Sequence, residues 1–159
     1  MSANLVNIVK NNDLALAKKL ITEGADVNQK DSRGNSLLIV SAADGHPKMV
    51  ELLLESGADI NAVDASMKAT ALHAAAYLGH PEVMQVLIER GIDIDAIGPY
   101  NGYTALHDAV WQNNVEGVRI LCEGGADVNI RGNDGNTPLD LARQKGQEAI
   151  IKLLESAVE

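Results

Sequence analysis

The five residues GADVN at 24–28 return as GADIN at 57–61, GIDID at 91–95 and GADVN at 125–129, at spacings of 33, 34 and 34. A hydroxyl residue keeps the same beat, with Ser36, Thr70, Thr104 and Thr137 standing 34, 34 and 33 apart. Two markers in register over four copies constrain the fold more than any composition does. A unit this short cannot bury both faces of its own helices, so units of this period stack side by side and share a core.

Each unit has a physical reading. After the hydroxyl comes a short apolar helix rich in small residues, such as ALHAAAYLG at 71–79, slim enough for neighbouring backbones to approach. The chain reverses at Gly45-His46-Pro47 and Gly79-His80-Pro81, where glycine tolerates positive φ and proline suits a first helical turn. The second helix, PKMVELLLES at 47–56, sets Val50, Leu53 and Leu54 on one face. Gly57 closes it, and the chain runs out to a tip and back before the next hydroxyl.

At 159 residues the chain is long enough for a real core, and 46% apolar residues exclude general disorder. No apolar run approaches the roughly 20 residues that span a bilayer. The N-terminal MSANLVNIVKNND lacks a signal-like apolar core, so an unexported, cytoplasmic protein is expected. The net charge is −9, and it is uneven: residues 1–33 carry five Lys/Arg against four Asp/Glu, residues 34–159 eight against eighteen. Such a surface repels phosphate backbones and anionic lipid, so neither nucleic acid nor membrane is an expected partner.

Catalytic and metal readings find little support. His73 and His107 share one repeat position and His46 and His80 another, so they sit about one repeat apart, roughly 10 Å, and do not converge on one ion. Satisfying a buried imidazole with local backbone is the simpler role. Cys122, the sole cysteine, lies on the apolar side of a helix as a packed thiol. Asp93 and Asp95 serve turn geometry, and Gly124-Gly125 lacks the lysine of a phosphate loop. No catalytic residue, metal ligand or cofactor is nominated.

Thr70-Ala71-Leu72-His73, Thr104-Ala105-Leu106-His107, Thr137-Pro138-Leu139, the Gly-His pairs and the four Gly-x-Asp endings together resemble an ankyrin-repeat protein over nearly the whole chain. The resemblance implies an all-α solenoid of helix-turn-helix units with β-hairpin-like tips. It implies one domain over 1–159, divided near 1–32, 33–65, 66–99, 100–132 and 133–159. There are departures. Only Thr137-Pro138 keeps the family's proline, Ile39 and Asp140 replace its histidine, and the tips AVDASMKAT and AIGPYNGYT each carry one extra residue. Polar outward residues on the first pair (Asn4, Asn7, Lys10, Asn11) and the last (Arg143, Gln144, Lys145, Gln147) read as terminal caps, which suggests a complete array.

Members of this family usually bind partner proteins across the tips and the inward face of the short helices. Carried over position by position, that surface comprises Arg33, Asn35, Asp44, Met67, Lys68, Tyr77, Leu78, Tyr100, Asn101, Tyr103, Asp108, Trp111, Gln112, Asn136 and Gln144. All four aromatic residues of the chain, Tyr77, Tyr100, Tyr103 and Trp111, fall within it. Tyrosine and tryptophan offer large contact area with few torsions to freeze, which is why they anchor interfaces. The expected function is a monomeric, non-catalytic module that binds a protein of basic or mixed charge through repeats three and four. On that reading the rings serve binding, and losing Trp111 or Tyr103 leaves thermal stability nearly unchanged. The alternatives are an engineered or purely structural scaffold, against which the divergence of the repeats speaks, and a groove for a small molecule or metal.

Overall fold

The structure, a computed structural model, describes residues 4–158; the first three residues of the N-terminal segment and Glu159 lie outside it. Ten helices follow one another in five pairs: α1 (Leu5–Lys10) with α2 (Leu14–Thr22), α3 (Leu37–Ala43) with α4 (Pro47–Glu55), α5 (Ala71–Leu78) with α6 (Pro81–Glu89), α7 (Ala105–Trp111) with α8 (Val115–Glu123), and α9 (Pro138–Lys145) with α10 (Glu148–Val158). Odd helices pack on odd and even on even, so the pairs line up as two layers of one stack. Among the described residues there is no sheet. Two isolated antiparallel bridges, Lys30 with Ser36 and Val63 with Thr70, mark strand-like pairing at the first two tips. This is the all-α solenoid that the family resemblance implies.

The hydroxyl beat of the sequence is a capping beat. Ser36, Thr70, Thr104 and Thr137 each accept the backbone N–H three residues on, at 3.2, 3.3, 3.3 and 3.1 Å, and so start α3, α5, α7 and α9. Ala42, Ala75, Ala76, Ala109 and Ala142 are fully buried along the odd layer, where a methyl group is all that the close packing of the backbones admits. Leu53, Leu87, Leu121 and Leu154 from the even layer are equally buried and fill the space between the layers.

The reversals hold one surprise. Beside Gly45, Gly79 and Gly146, the left-handed place is taken by Asn12 and Asn113, at φ of 55° and 54°. Asparagine is among the few residues with a side chain that visits this region at modest cost, so all five pairs turn alike although only three turns contain glycine.

The lengthened tips close in the same manner as the short ones. Asp31 donates its N–H to the Asn35 carbonyl and Gly132 to that of Asn136, each at 2.9 Å; Asp64 donates to Ala69 at 2.8 Å and Gly98 to Tyr103 at 3.0 Å, across one more residue. Where three tips use a left-handed glycine, the second uses Lys68 at φ 55°. The Asp64 carboxylate offsets that strain by accepting N–H groups of Met67 at 2.5 Å and Ala69 at 3.2 Å and the Ser66 hydroxyl at 3.1 Å. Glycine at position 68 relieves about 1 kcal/mol of left-handed strain and returns about half of it as chain entropy. Lys68→Gly is therefore expected to raise stability by about 0.5 kcal/mol in urea unfolding. A fall would mean that the lysine side chain, not the backbone, sets this tip.

Three ladders of side-chain hydrogen bonds tie successive units together. In the first, the residue after each of the last three reversals reaches back to the preceding odd helix: His80 to the Ala43 carbonyl at 2.8 Å, Asn114 to Ala76 at 3.1 Å and Gln147 to Val110 at 2.8 Å. His46, after the second reversal, makes no such bond, and its buried Nδ1 finds no partner among the described residues. Gln147, expected to face outward, is thus a partly buried staple. In the second, Asn28, Asn61 and Asp95 accept the N–H of Asp59, Asp93 and Asp127 at 2.9, 3.5 and 2.8 Å. The third runs through His73 and His107 and leads into the site.

Candidate functional site

His73 and His107 stand at the third position of α5 and α7. Their Nδ1 atoms accept the N–H of Thr70 at 3.3 Å and of Thr104 at 3.1 Å, which places the ring proton on Nε2. Nε2–H then donates to a carbonyl of the next tip, Tyr103 for His73 and Asn136 for His107, both at 2.9 Å. Burial pushes both imidazoles below their usual pKa and keeps them neutral. They hold the tips against the helices, as backbone-satisfied histidines were expected to.

Those tips and the exposed face of the odd helices enclose a cavity of about 680 Å³ between the third and fourth units. Its walls include Met67, Tyr77, Leu78, Tyr100, Asn101, Tyr103, Asp108 and Trp111 from the expected surface. The remaining expected residues lie outside it. Arg33 and Lys68 are exposed on tips, Asp44 and Gln112 are exposed where α3 and α7 end, and Asn35, Asn136 and Gln144 are engaged within the chain. Asn35 accepts the Ala65 N–H at 3.1 Å, and Gln144 donates to the Asn136 side chain at 3.1 Å.

Tyr77, Tyr100 and Trp111 are 49%, 64% and 48% exposed, so these rings add little to the core. Trp111 carries the Lys145 ammonium 4.3 Å from its ring centroid, a cation–π contact from the next unit. Tyr103 departs from the expectation that all four rings stand free. It stacks on His107 with centroids 4.6 Å apart and planes at 9°, and its hydroxyl donates to Asp134 at 2.5 Å. A Cβ on Gly132 would meet its ring at 2.5 Å, so the tyrosine lies flat on the next tip. Burial and the Asp134 carboxylate push its pKa up to about 12, and the same bond holds Asp134 below the carboxylate range. Tyr103 is therefore a wall of the cavity fixed by packing, and removing its ring costs stability.

Asp108, in the first turn of α7, is the unusual charge. It is half-buried in the cavity wall, and among the described residues its carboxyl accepts no hydrogen bond and joins no ion pair. Desolvation pushes its pKa to about 7. Asp64 lines the same cavity and was missed by sequence reasoning. Its carboxylate is consumed in closing its own tip, and its match with Asp31 one repeat earlier was the available signal. Cys122 is half-buried against the core with its thiol pushed up by burial, in keeping with the inert role expected of it.

The arrangement offers rings, a methionine, a leucine and one unpaired carboxyl on a fixed frame, which is the chemistry of recognition. Comparison with known proteins bears on the fold. The sequence model of ankyrin repeats matches in three copies, at residues 5–98, 69–132 and 97–159. A stretch of 72 residues, 45% of the chain, is 33% identical to the palmitoyltransferase Hip14 of Drosophila melanogaster, and 79 residues, 48%, are 34% identical to the inactive serine/threonine-protein kinase TEX14 of Mus musculus. The matched stretches span only 11% and 5% of those proteins. Among the described residues no helix is long and apolar enough to cross a membrane. Ankyrin repeats in general mediate protein–protein contacts, and this chain belongs to the ankyrin-repeat family.

Proposed function

We propose that the chain is a non-catalytic module that binds a partner protein through the groove and tips of its third and fourth units. It works as a monomer in the cytoplasm on a partner of basic or mixed charge, and the divisions near 33, 66, 100 and 133 separate units of one domain. The observation that carries this reading is that Tyr77, Tyr100 and Trp111 line one cavity while staying about half exposed. Rings placed so are costly to leave in water and gain most when a partner covers them. The net charge of −9 favours a basic partner and disfavours nucleic acid.

Trp111→Ala tests it. Truncating an interface anchor costs about 2 kcal/mol of binding, roughly a thirtyfold loss of affinity. Capture from a native lysate is expected to fall by that factor while the Tm stays within about 2 °C of the parent. Undiminished capture would return the chain to the scaffold reading, and a Tm loss of many degrees would make Trp111 a structural cover.

A further inference from the structure

The cavity wall combines features that do not belong together unless something completes them. Asp108 is held half-buried among Tyr77, Tyr103 and Trp111 with no cation on it, whereas the nearby Asp64 is fully consumed by its own tip. A half-buried carboxylate that has lost part of its hydration and has no partner is unfavourable when ionised, and a positive charge brought to it relieves the cost. The rings around it favour a cation as well, because their faces are negative. Trp111 already holds one in the Lys145 ammonium, but Lys145 forms no ion pair with Asp108. The surface beyond is acidic, so the long-range field draws positive groups toward this hollow.

We infer that the cavity receives an arginine side chain of the partner protein, its guanidinium on the Asp108 carboxylate and its flat face among Tyr77, Tyr100, Tyr103 and Trp111. Arginine fits better than lysine for three reasons. Its guanidinium is weakly hydrated and so enters a half-buried site at lower cost, its two parallel N–H groups match a carboxylate, and its plane stacks on aromatic rings where an ammonium makes only a point contact. A volume of about 680 Å³ holds the side chain together with a stretch of the peptide that presents it.

This inference rests on the groove being the surface that meets the partner, and the two are separable by experiment. Trp111 is the only tryptophan, so its fluorescence and its indole N–H resonance report on this site alone. The probes are acetyl-Gly-Arg-Gly-amide, its citrulline counterpart, which keeps the shape and loses the charge, and its lysine counterpart, titrated at pH 8 to about 50 mM. The arginine peptide is expected to shift the Trp111 signals saturably, with the citrulline peptide about tenfold weaker and the lysine peptide in between. Asp108→Asn is expected to abolish the preference for arginine over citrulline, and a Tm at or above that of the parent shows that this variant is folded. Equal binding of arginine and citrulline, a lysine peptide as tight as arginine, a preference that survives Asp108→Asn, or no shift at Trp111 would each overturn the assignment. If the arginine peptide leaves Trp111 untouched while Trp111→Ala still loses the partner, the arginine falls and the groove stands. If the peptide binds but Trp111→Ala captures the partner normally, the pocket stands and the groove falls as the docking surface.

Discussion

Replacing His107 by leucine is expected to cost about 3–4 kcal/mol of folding stability and to lower the Tm by roughly 10 °C. The ring is fully buried and serves two masters. Nδ1 accepts the Thr104 N–H at 3.1 Å and Nε2–H donates to the Asn136 carbonyl at 2.9 Å. Leucine fills much of the volume but leaves the buried Thr104 N–H without an acceptor, a loss of about 1–3 kcal/mol, while the Asn136 carbonyl keeps the Gly132 N–H and gives up its second bond. It also removes the stack under Tyr103. The last unit shows how to separate the two bonds. There Asp140 accepts the Thr137 N–H at 3.0 Å in place of a histidine, with no reach to a further tip. His107→Asn, which offers the same kind of acceptor to the cap without placing a charge at this fully buried position, is accordingly expected to fall between parent and leucine, keeping the cap and losing the bridge. Chemical denaturation of the three proteins measures the series, and a leucine variant within 1 kcal/mol of the parent would sink the account.

The second large effect has the opposite sign. Asp108→Asn is expected to stabilise the protein by about 3 kcal/mol at pH 8 and by almost nothing at pH 4. Desolvation raises this carboxyl from 3.8 in the unfolded chain to about 7 in the fold. The folded state therefore binds the proton more tightly. The contribution of Asp108 to stability is greatest below about pH 4, declines as pH rises toward 7 and is flat above. A shift of that size corresponds to about 4 kcal/mol, and we discount it because water still reaches part of the side chain and because the first turn of α7 favours a negative charge. His73 and His107 act in the other sense. Their depressed values make stability highest above pH 6.5 and reduce it as pH falls through the folded values. The difference between the Asn variant and the parent isolates Asp108, because the histidines are common to both. A difference independent of pH would show that the carboxyl titrates normally.

Much of this architecture was legible in the residues. Period, capping hydroxyls, the alanine layer and the closing glycines are local requirements of backbone geometry, and local requirements show in single positions. The rings at 77, 100 and 111 were legible too, because one repeat position leads to one place on the stack. What stayed hidden depends on neighbours thirty residues away. Tyr103 was grouped with the free rings because its stack on His107 and its bond to Asp134 join a tip to the following unit. Gln147 passed for a surface residue because its acceptor, the Val110 carbonyl, has no signature in sequence. The charge state of Asp108 is likewise a property of the cavity and of no motif.

The side-chain hydrogen bonds that join units span only 29 to 38 residues, so each ladder rung reaches the adjoining unit and no farther. Such a molecule has grammar at the level of the phrase. A duplicated unit inserted in frame meets the same donors before it and the same acceptors after it, and the row of recognition positions grows by one. Selection can thus lengthen or reshuffle what the surface reads without composing a new interior.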